Sequence, residues 1–193
     1  MIIDTTRKLN MKALLFDLDG TLVDTEKLDD LAMRRVLKRN GLSIKFRDFV
    51  GCTLDEYLVS ITSEKKLRQK IKGEFIKDYT LLLRKTSLTL NHKLLELIKQ
   101  NSNLKLALVT SNTKKITTII LRKVGLSKIF DVVITCEDVE NQKPHPEPFL
   151  KAVTLLNISP DECTAFEDSR TGLQSAKSAG INYQKIIIRE DGK

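Results

Sequence analysis

The sequence predicts an α/β protein: a doubly wound parallel sheet with an inserted all-helical cap. Two observations predict it. Short apolar runs alternate with helical patterns, which is the signature of parallel βαβ units. One long interval, between the first run and the second, breaks that rhythm and holds only helical patterns.

The first run, Lys12 to Asp17, is apolar and ends in an acidic, glycine-containing turn, as a buried strand does. Met11 stands directly before it, so residues 1–10 read either as an extension or as the product of a misassigned start. Four more runs read as strands: Leu104 to Thr110, Asp131 to Thr135, Cys163 to Glu167 and Gln184 to Ile188. Between them, Asn91 to Gln100 carries Leu94, Leu95, Leu97 and Ile98 at helical spacing. Thr113 to Val124 carries Ile116, Ile119, Ile120 and Val124, and stops at Gly125. Pro146 to Asn157 and Arg170 to Ala179 complete the set, the latter ending at Gly180.

The long interval supplies the cap, residues 26–86. Glu26 to Asn40 places Leu28, Leu31, Ala32, Val36 and Leu37 on one side and stops at Gly41. Leu54 to Ile61 is a short helix, and Glu64 to Leu83 a long lysine-rich one. Residues 1–25 and 87–193 then form the α/β core.

Composition sets limits on function. Of 193 residues, 41% are apolar and 30% charged, enough for a core with a well-solvated surface. No window approaches the roughly 18 to 20 apolar residues of a membrane span, and Met1 to Asn10 lacks the apolar stretch of a signal peptide. A cytoplasmic protein without membrane contacts is the expectation, as a monomer or weak dimer. Cys52, Cys136 and Cys163 are odd in number and widely spaced, which argues against a disulfide framework. The net charge is +8, and residues 26–86 hold 15 Lys and Arg against 9 Asp and Glu. That excess admits a polyanion-binding reading. Aromatic residues are only 5%, and none interleave with Lys65, Lys66, Arg68, Lys70 and Lys72, which speaks against nucleic acid as a partner.

The chemistry concentrates in Phe16-Asp17-Leu18-Asp19-Gly20-Thr21-Leu22-Val23-Asp24-Thr25. Side chains two apart on extended backbone point the same way, so Asp17 and Asp19 can address one reacting centre. Two carboxylates so close repel, favouring a bound cation or one protonated member. Gly20 permits a sharp turn off the strand. Asp17, Thr110 and Asp168 all fall at strand ends, where open α/β sheets bind their ligands.

Asp17 to Thr25 resembles the first motif of the haloacid dehalogenase-like hydrolases, in the branch of small-molecule phosphatases and beta-phosphoglucomutases. Val109-Thr110-Ser111-Asn112 is similar to the second motif. Gln142-Lys143-Pro144-His145-Pro146-Glu147-Pro148-Phe149 is similar to the third, and Phe166-Glu167-Asp168-Ser169 with Gly172 to the fourth. The likeness runs over residues 11–190.

The resemblance implies a Rossmann-like sheet of strand order 3-2-1-4-5 and a Mg²⁺-dependent phosphatase acting on a small phosphorylated metabolite: a sugar phosphate, phosphoglycolate or a nucleoside monophosphate. It implies that Asp17 attacks phosphorus and forms a transient aspartyl phosphate. Asp19 protonates the leaving oxygen and later activates water. Lys143 neutralises charge on nucleophile and phosphoryl group. Thr110, Ser111, Asn112 and Lys143 bind phosphate. The implied metal ligands are the Asp17 carboxylate, the Asp19 backbone carbonyl, Asp168 and Glu167.

The segment Gly51, Cys52, Thr53 and Leu54 resembles the cap loop that sets specificity. The mutases carry an arginine where this chain has Leu54, and a histidine where it has Asp29. Both departures favour hydrolysis over a beta-phosphoglucomutase-like isomerisation.

Overall fold

A computed structural model describes residues 10–42 and 54–188. The described residues form two compact units, one of residues up to Asp24 and from Thr89, the other Thr25–Leu88.

The first unit is built on five parallel strands. They are β1 (Ala13–Phe16), β4 (Lys105–Val109), β5 (Val132–Ile134), β6 (Cys163–Glu167) and β7 (Asn182–Lys185), in the order β5-β4-β1-β6-β7. Numbered among themselves, that is the expected 3-2-1-4-5. β1 lies at the centre because both its faces are apolar: all four of its residues are fully buried. It pairs Leu15 with Ala107 on one side and with Ala165 on the other.

Alternation along the strands sorts the two faces. Ala13, Leu15, Ala107, Val109, Cys163 and Ala165 share one core with Phe149, Ala152 and Val153 of α6 (Glu147–Leu156) and Ala176 of α7 (Arg170–Ser178). The small residues on this face let those helices approach closely. On the other parity Phe16 stacks on Phe166, with ring centroids 5.0 Å apart, and meets Phe130 edge-on.

α4 (His92–Gln100) and α5 (Lys114–Lys123) join these strands. Thr113 caps α5 by accepting from the Ile116 N–H, Asn91 caps α4, and Ser169 caps α7 by accepting from the Gly172 N–H. The helix after β4 therefore begins without using Thr110 as its cap.

Two local features of this unit depart from the sequence reading. The last strand begins at Asn182, two residues before the apolar run. It follows directly from the left-handed Gly180 and pairs Thr164 with Asn182 through Glu167 with Lys185. As an edge strand it has alternating burial, which an apolar run does not announce. A two-residue antiparallel pair, β2 (Val23–Asp24) with β3 (Thr89–Leu90), brings together the points where the chain leaves and re-enters this unit.

The second unit contains α1 (Glu26–Arg39), α2 (Leu54–Ile61) and α3 (Lys65–Lys85). In α1 the buried face is Leu28, Ala32, Met33, Val36 and Leu37, so Met33 takes the place expected of Leu31, which is 37% exposed. α3 packs on α1 through Ile71, Phe75, Tyr79 and Leu83. Lys72 of α3 pairs with Asp55 of α2, and Arg39 of α1 with Asp78 of α3, each at 2.8 Å. No helix among the described residues is long and apolar enough to cross a membrane.

Candidate active site at the carboxyl ends of the strands

Two neighbouring strands deliver three acidic groups to one end of the sheet. Asp17 follows β1, Glu167 ends β6 and Asp168 follows it. Asp17 continues the parity of Ala13 and Leu15, and Glu167 that of Cys163 and Ala165, so their side chains leave the sheet on the same face. Backbone pairing continues to the end of the strands, with the Asp17 N–H donating to the Phe166 carbonyl at 3.0 Å.

That face is the one covered by α6, and it is where Lys143 arrives. Its side chain is 5% exposed, and the Lys143–Pro144 peptide is cis. The ammonium donates to Asp17 Oδ1 at 2.7 Å, to the Val109 carbonyl at 2.8 Å and to Glu167 Oε1 at 2.5 Å, while lying 5.4 Å from the centre of the Phe149 ring. All three of its donors are thereby used. The loop before it is pinned by Glu147, whose carboxylate accepts from the backbone N–H groups of Glu140 and Asn141 at 2.8 and 2.9 Å.

Glu167 is fully buried. Its second oxygen accepts from the Ser169 hydroxyl at 3.0 Å and the Ser169 N–H at 3.3 Å. Gly172 leaves the space this carboxylate fills, since a Cβ at that position would overlap it. Asp168 accepts from the Thr21 hydroxyl at 3.1 Å. Thr21 sits in the tight turn after Asp19, where Gly20 adopts φ 73° and donates to the Val23 carbonyl. Asp19 itself accepts from Asn112 Nδ2 at 2.5 Å.

The loop after β4 is equally anchored. Thr110 is buried, and its N–H donates to the Ile134 carbonyl at 2.9 Å. Its hydroxyl accepts from the Asn112 N–H at 3.1 Å, and the Asn112 carbonyl accepts from the Cys136 N–H at 3.0 Å. Ser111 is exposed.

The electrostatics are those of a cation site. Carboxylate oxygens of Asp17, Glu167 and Asp168 lie within 4.8 Å of one another. Burial pushes the Asp17 carboxyl well above its usual range. The Lys143 ammonium opposes that, while Glu167, Asp168 and Asp19 reinforce it. For Lys143, burial alone would depress the ammonium, but Asp17 and Glu167 together hold it above its ordinary value. One ammonium thus faces three carboxylates. The surplus negative charge and the all-oxygen donor set fit a hard divalent cation.

The structure therefore brings together Asp17, Asp19, Lys143, Glu167 and Asp168, with Thr110 and Asn112 on the adjoining loop. Leu54 is the first residue of α2 in the separate helical unit. Gly51, Cys52 and Thr53 lie outside the described residues. Sequence reading missed Thr21, Ser169 as the anchor of Glu167, and the Val109 carbonyl. Thr21 was visible in the Asp-Leu-Asp-Gly-Thr segment, but its partner stands 147 residues away. His145 and His92 are both exposed, as surface residues. The buried Cys163 thiol is pushed up to about 12 by burial, which leaves it inert.

Comparison with known proteins places the chain in a family. The family described as haloacid dehalogenase-like hydrolase matches residues 14–186. The phosphorylated carbohydrates phosphatase of Thermotoga maritima is 32% identical, over 95% of this chain and 89% of that protein. The beta-phosphoglucomutase of Bacillus subtilis is 31% identical, over 89% of this chain and 81% of that protein. The solved structure of a HAD hydrolase, family IA, variant 3, from Entamoeba histolytica superimposes with a TM-score of 0.80. It is 27% identical, over 91% of this chain and 84% of that one.

Proposed function

This chain belongs to the haloacid dehalogenase-like hydrolase family, and on that premise we propose that it is a Mg²⁺-dependent phosphatase for a small phosphorylated metabolite, working through Asp17. The observation that carries the reading is the buried contact of the Lys143 ammonium with Asp17 Oδ1 at 2.7 Å, at the end of the central strand. A carboxylate fixed against an ammonium in a buried pocket is oriented for attack, and its charge is offset where an anionic phosphate must approach.

The steps assigned to this chain's residues are these. A carboxylate oxygen of Asp17 bonds to phosphorus as the bond from phosphorus to the substrate's alcohol oxygen breaks. Asp19 gives its proton to that oxygen, so the alcohol leaves neutral. Asp19, now a carboxylate, takes a proton from water as the water oxygen attacks phosphorus and the bond to Asp17 breaks. Inorganic phosphate and the starting enzyme result. Thr110, with the neighbouring Ser111 and Asn112, lines the phosphate side of the site, and Lys143 holds charge in balance at both transfers.

The residues that would hold Mg²⁺ are Asp17 and Asp168 through side chains, Asp19 through its backbone carbonyl, and Glu167 either as a ligand or as the acceptor that orients Lys143. When bound, the cation neutralises charge that a single ammonium leaves uncompensated. Residues 26–86 serve as the cap, and Gly51 to Leu54 as its specificity loop. The relatives' names include a phosphatase of phosphorylated carbohydrates, which makes sugar phosphates the first substrates to try.

A phosphate-release screen over sugar phosphates, phosphoglycolate and nucleoside monophosphates, with Mg²⁺, tests the reading. Wild type releases phosphate from at least one compound and Asp17→Asn from none. A folded wild type inactive across the panel overturns it. Isomerisation of a hexose 1-phosphate in the presence of its bisphosphate, without net phosphate release, would move the chain to the mutases.

A further inference from the structure

We propose that Asn112 is a positioning residue for the proton-transfer group: it acts through Asp19, whose carboxylate it holds in place. The proposal rests on the hydrolase reading above and goes beyond it in assigning the Asn112 side chain a task other than gripping phosphate.

Three observations carry it. The first is the contact itself, from Asn112 Nδ2 to Asp19 Oδ2 at 2.5 Å, between residues 93 apart in the chain. A carboxylate can only accept, so the amide nitrogen is the end that faces Asp19. The second is that Asn112 is a rigid base for such a contact. Its N–H is given to the Thr110 hydroxyl at 3.1 Å and its carbonyl accepts from the Cys136 N–H at 3.0 Å. Thr110 is in turn tied to Ile134 at the end of β5. The side chain therefore projects from a loop fixed to two strands of the sheet. The third is position: Asp19 stands just past β1, in a turn whose next residue, Gly20, is left-handed. Both proposed proton transfers require its side-chain oxygen at a set place, and the Asn112 amide grips the other oxygen.

The chemistry suits the task. A carboxamide holds a carboxylate by donating, yet neither takes nor gives a proton itself near neutral pH. It can orient the acid/base group without competing for the proton being moved. Misplacing a reacting group by about 1 Å can cost on the order of a hundredfold in rate.

A leaving-group comparison tests the proposal. Proton donation matters for an alkyl phosphate, whose alkoxide leaves poorly, and hardly at all for p-nitrophenyl phosphate, whose phenolate leaves unaided. kcat/KM reports the steps up to loss of the alcohol, so it isolates the first proton transfer. The expected result is that Asn112→Ala lowers kcat/KM for an alkyl phosphate at least tenfold more than for p-nitrophenyl phosphate, the same skew as Asp19→Asn. Asn112→Leu, close to asparagine in size but without the donor, gives the same skew, and it decides the matter if Asn112→Ala does not fold. Equal losses on both substrates, or a rise in KM alone, overturn the proposal while leaving the hydrolase reading intact. The alkyl phosphate is one that wild type cleaves in the screen above; a folded wild type that cleaves none of that panel overturns the hydrolase reading, and this proposal with it.

Discussion

The Lys143 ammonium reaches Asp17 Oδ1 at 2.7 Å across 126 residues of sequence, and the same nitrogen holds Glu167 Oε1 at 2.5 Å. One buried cation thus links the ends of two neighbouring strands. Its environment contains more negative than positive charge, and most of the consequences below follow from that imbalance.

Removing the cation should be damaging twice over. Lys143→Ala leaves Asp17 and Glu167 buried without their ammonium, a change that costs about 3–5 kcal/mol when one partner of a buried pair is lost. We expect a matching fall in stability in denaturant titrations at neutral pH, and loss of phosphate release by at least a hundredfold. An alanine variant as stable as wild type would show that the ammonium is not paired as described.

The raised Asp17 carboxyl predicts a pH dependence of stability in metal-free protein. A group whose folded pKa is raised contributes stability that is present at low pH and lost as pH rises through the folded value. Metal-free wild type should therefore lose stability as pH climbs out of the ordinary carboxylate range, and Mg²⁺ should restore it. Asp17→Asn should flatten that slope and be the more stable protein without metal. Thermal unfolding followed across pH, with and without Mg²⁺, decides this. Identical slopes for the two proteins would count against the charge surplus.

Thr21 should matter to the cation without touching it. Its hydroxyl donates to Asp168 Oδ1 at 3.1 Å, and groups that orient ligands typically change metal affinity by about 10–100-fold. Thr21→Val keeps the shape and removes the donor. We expect its phosphatase activity to need about tenfold more Mg²⁺ for half-saturation, with rate at saturating Mg²⁺ changed less. An unchanged Mg²⁺ requirement would remove Thr21 from the account.

Gly172→Ala tests the packing behind Glu167. The added methyl would overlap the Glu167 carboxylate, and neither the first turn of α7 nor the end of β6 can yield freely. Overpacking of this kind costs about 1–3 kcal/mol. Displacing Glu167 also frees Lys143 from one of its acceptors, so activity should fall by more than the stability loss explains. Wild-type activity in a folded Gly172→Ala protein would contradict this placement.

Much of this was legible in the sequence because it depends on local pattern. Apolar runs ending in Asp17, Thr110 and Glu167 placed those residues at strand ends. What could not be read were contacts between distant segments. Thr21 with Asp168 and Asn112 with Asp19 each join short polar side chains whose partners are set by how strands stack. The edge strand at Asn182 and the exposed Leu31 were missed for a different reason. Apolar content marks what is buried on average, whereas edge pairing and the angular position on a helix decide these cases.

The central claim is that Asp17 itself carries the phosphoryl group during turnover. Rapid acid quenching of wild type mixed with a radiolabelled substrate and Mg²⁺ measures it directly. The account predicts a transient, hydroxylamine-sensitive phosphoryl label on the peptide containing Asp17, absent from Asp17→Asn. Steady phosphate release with no such label on that peptide at any quench time, or Asp17→Asn turning over like wild type, would contradict it.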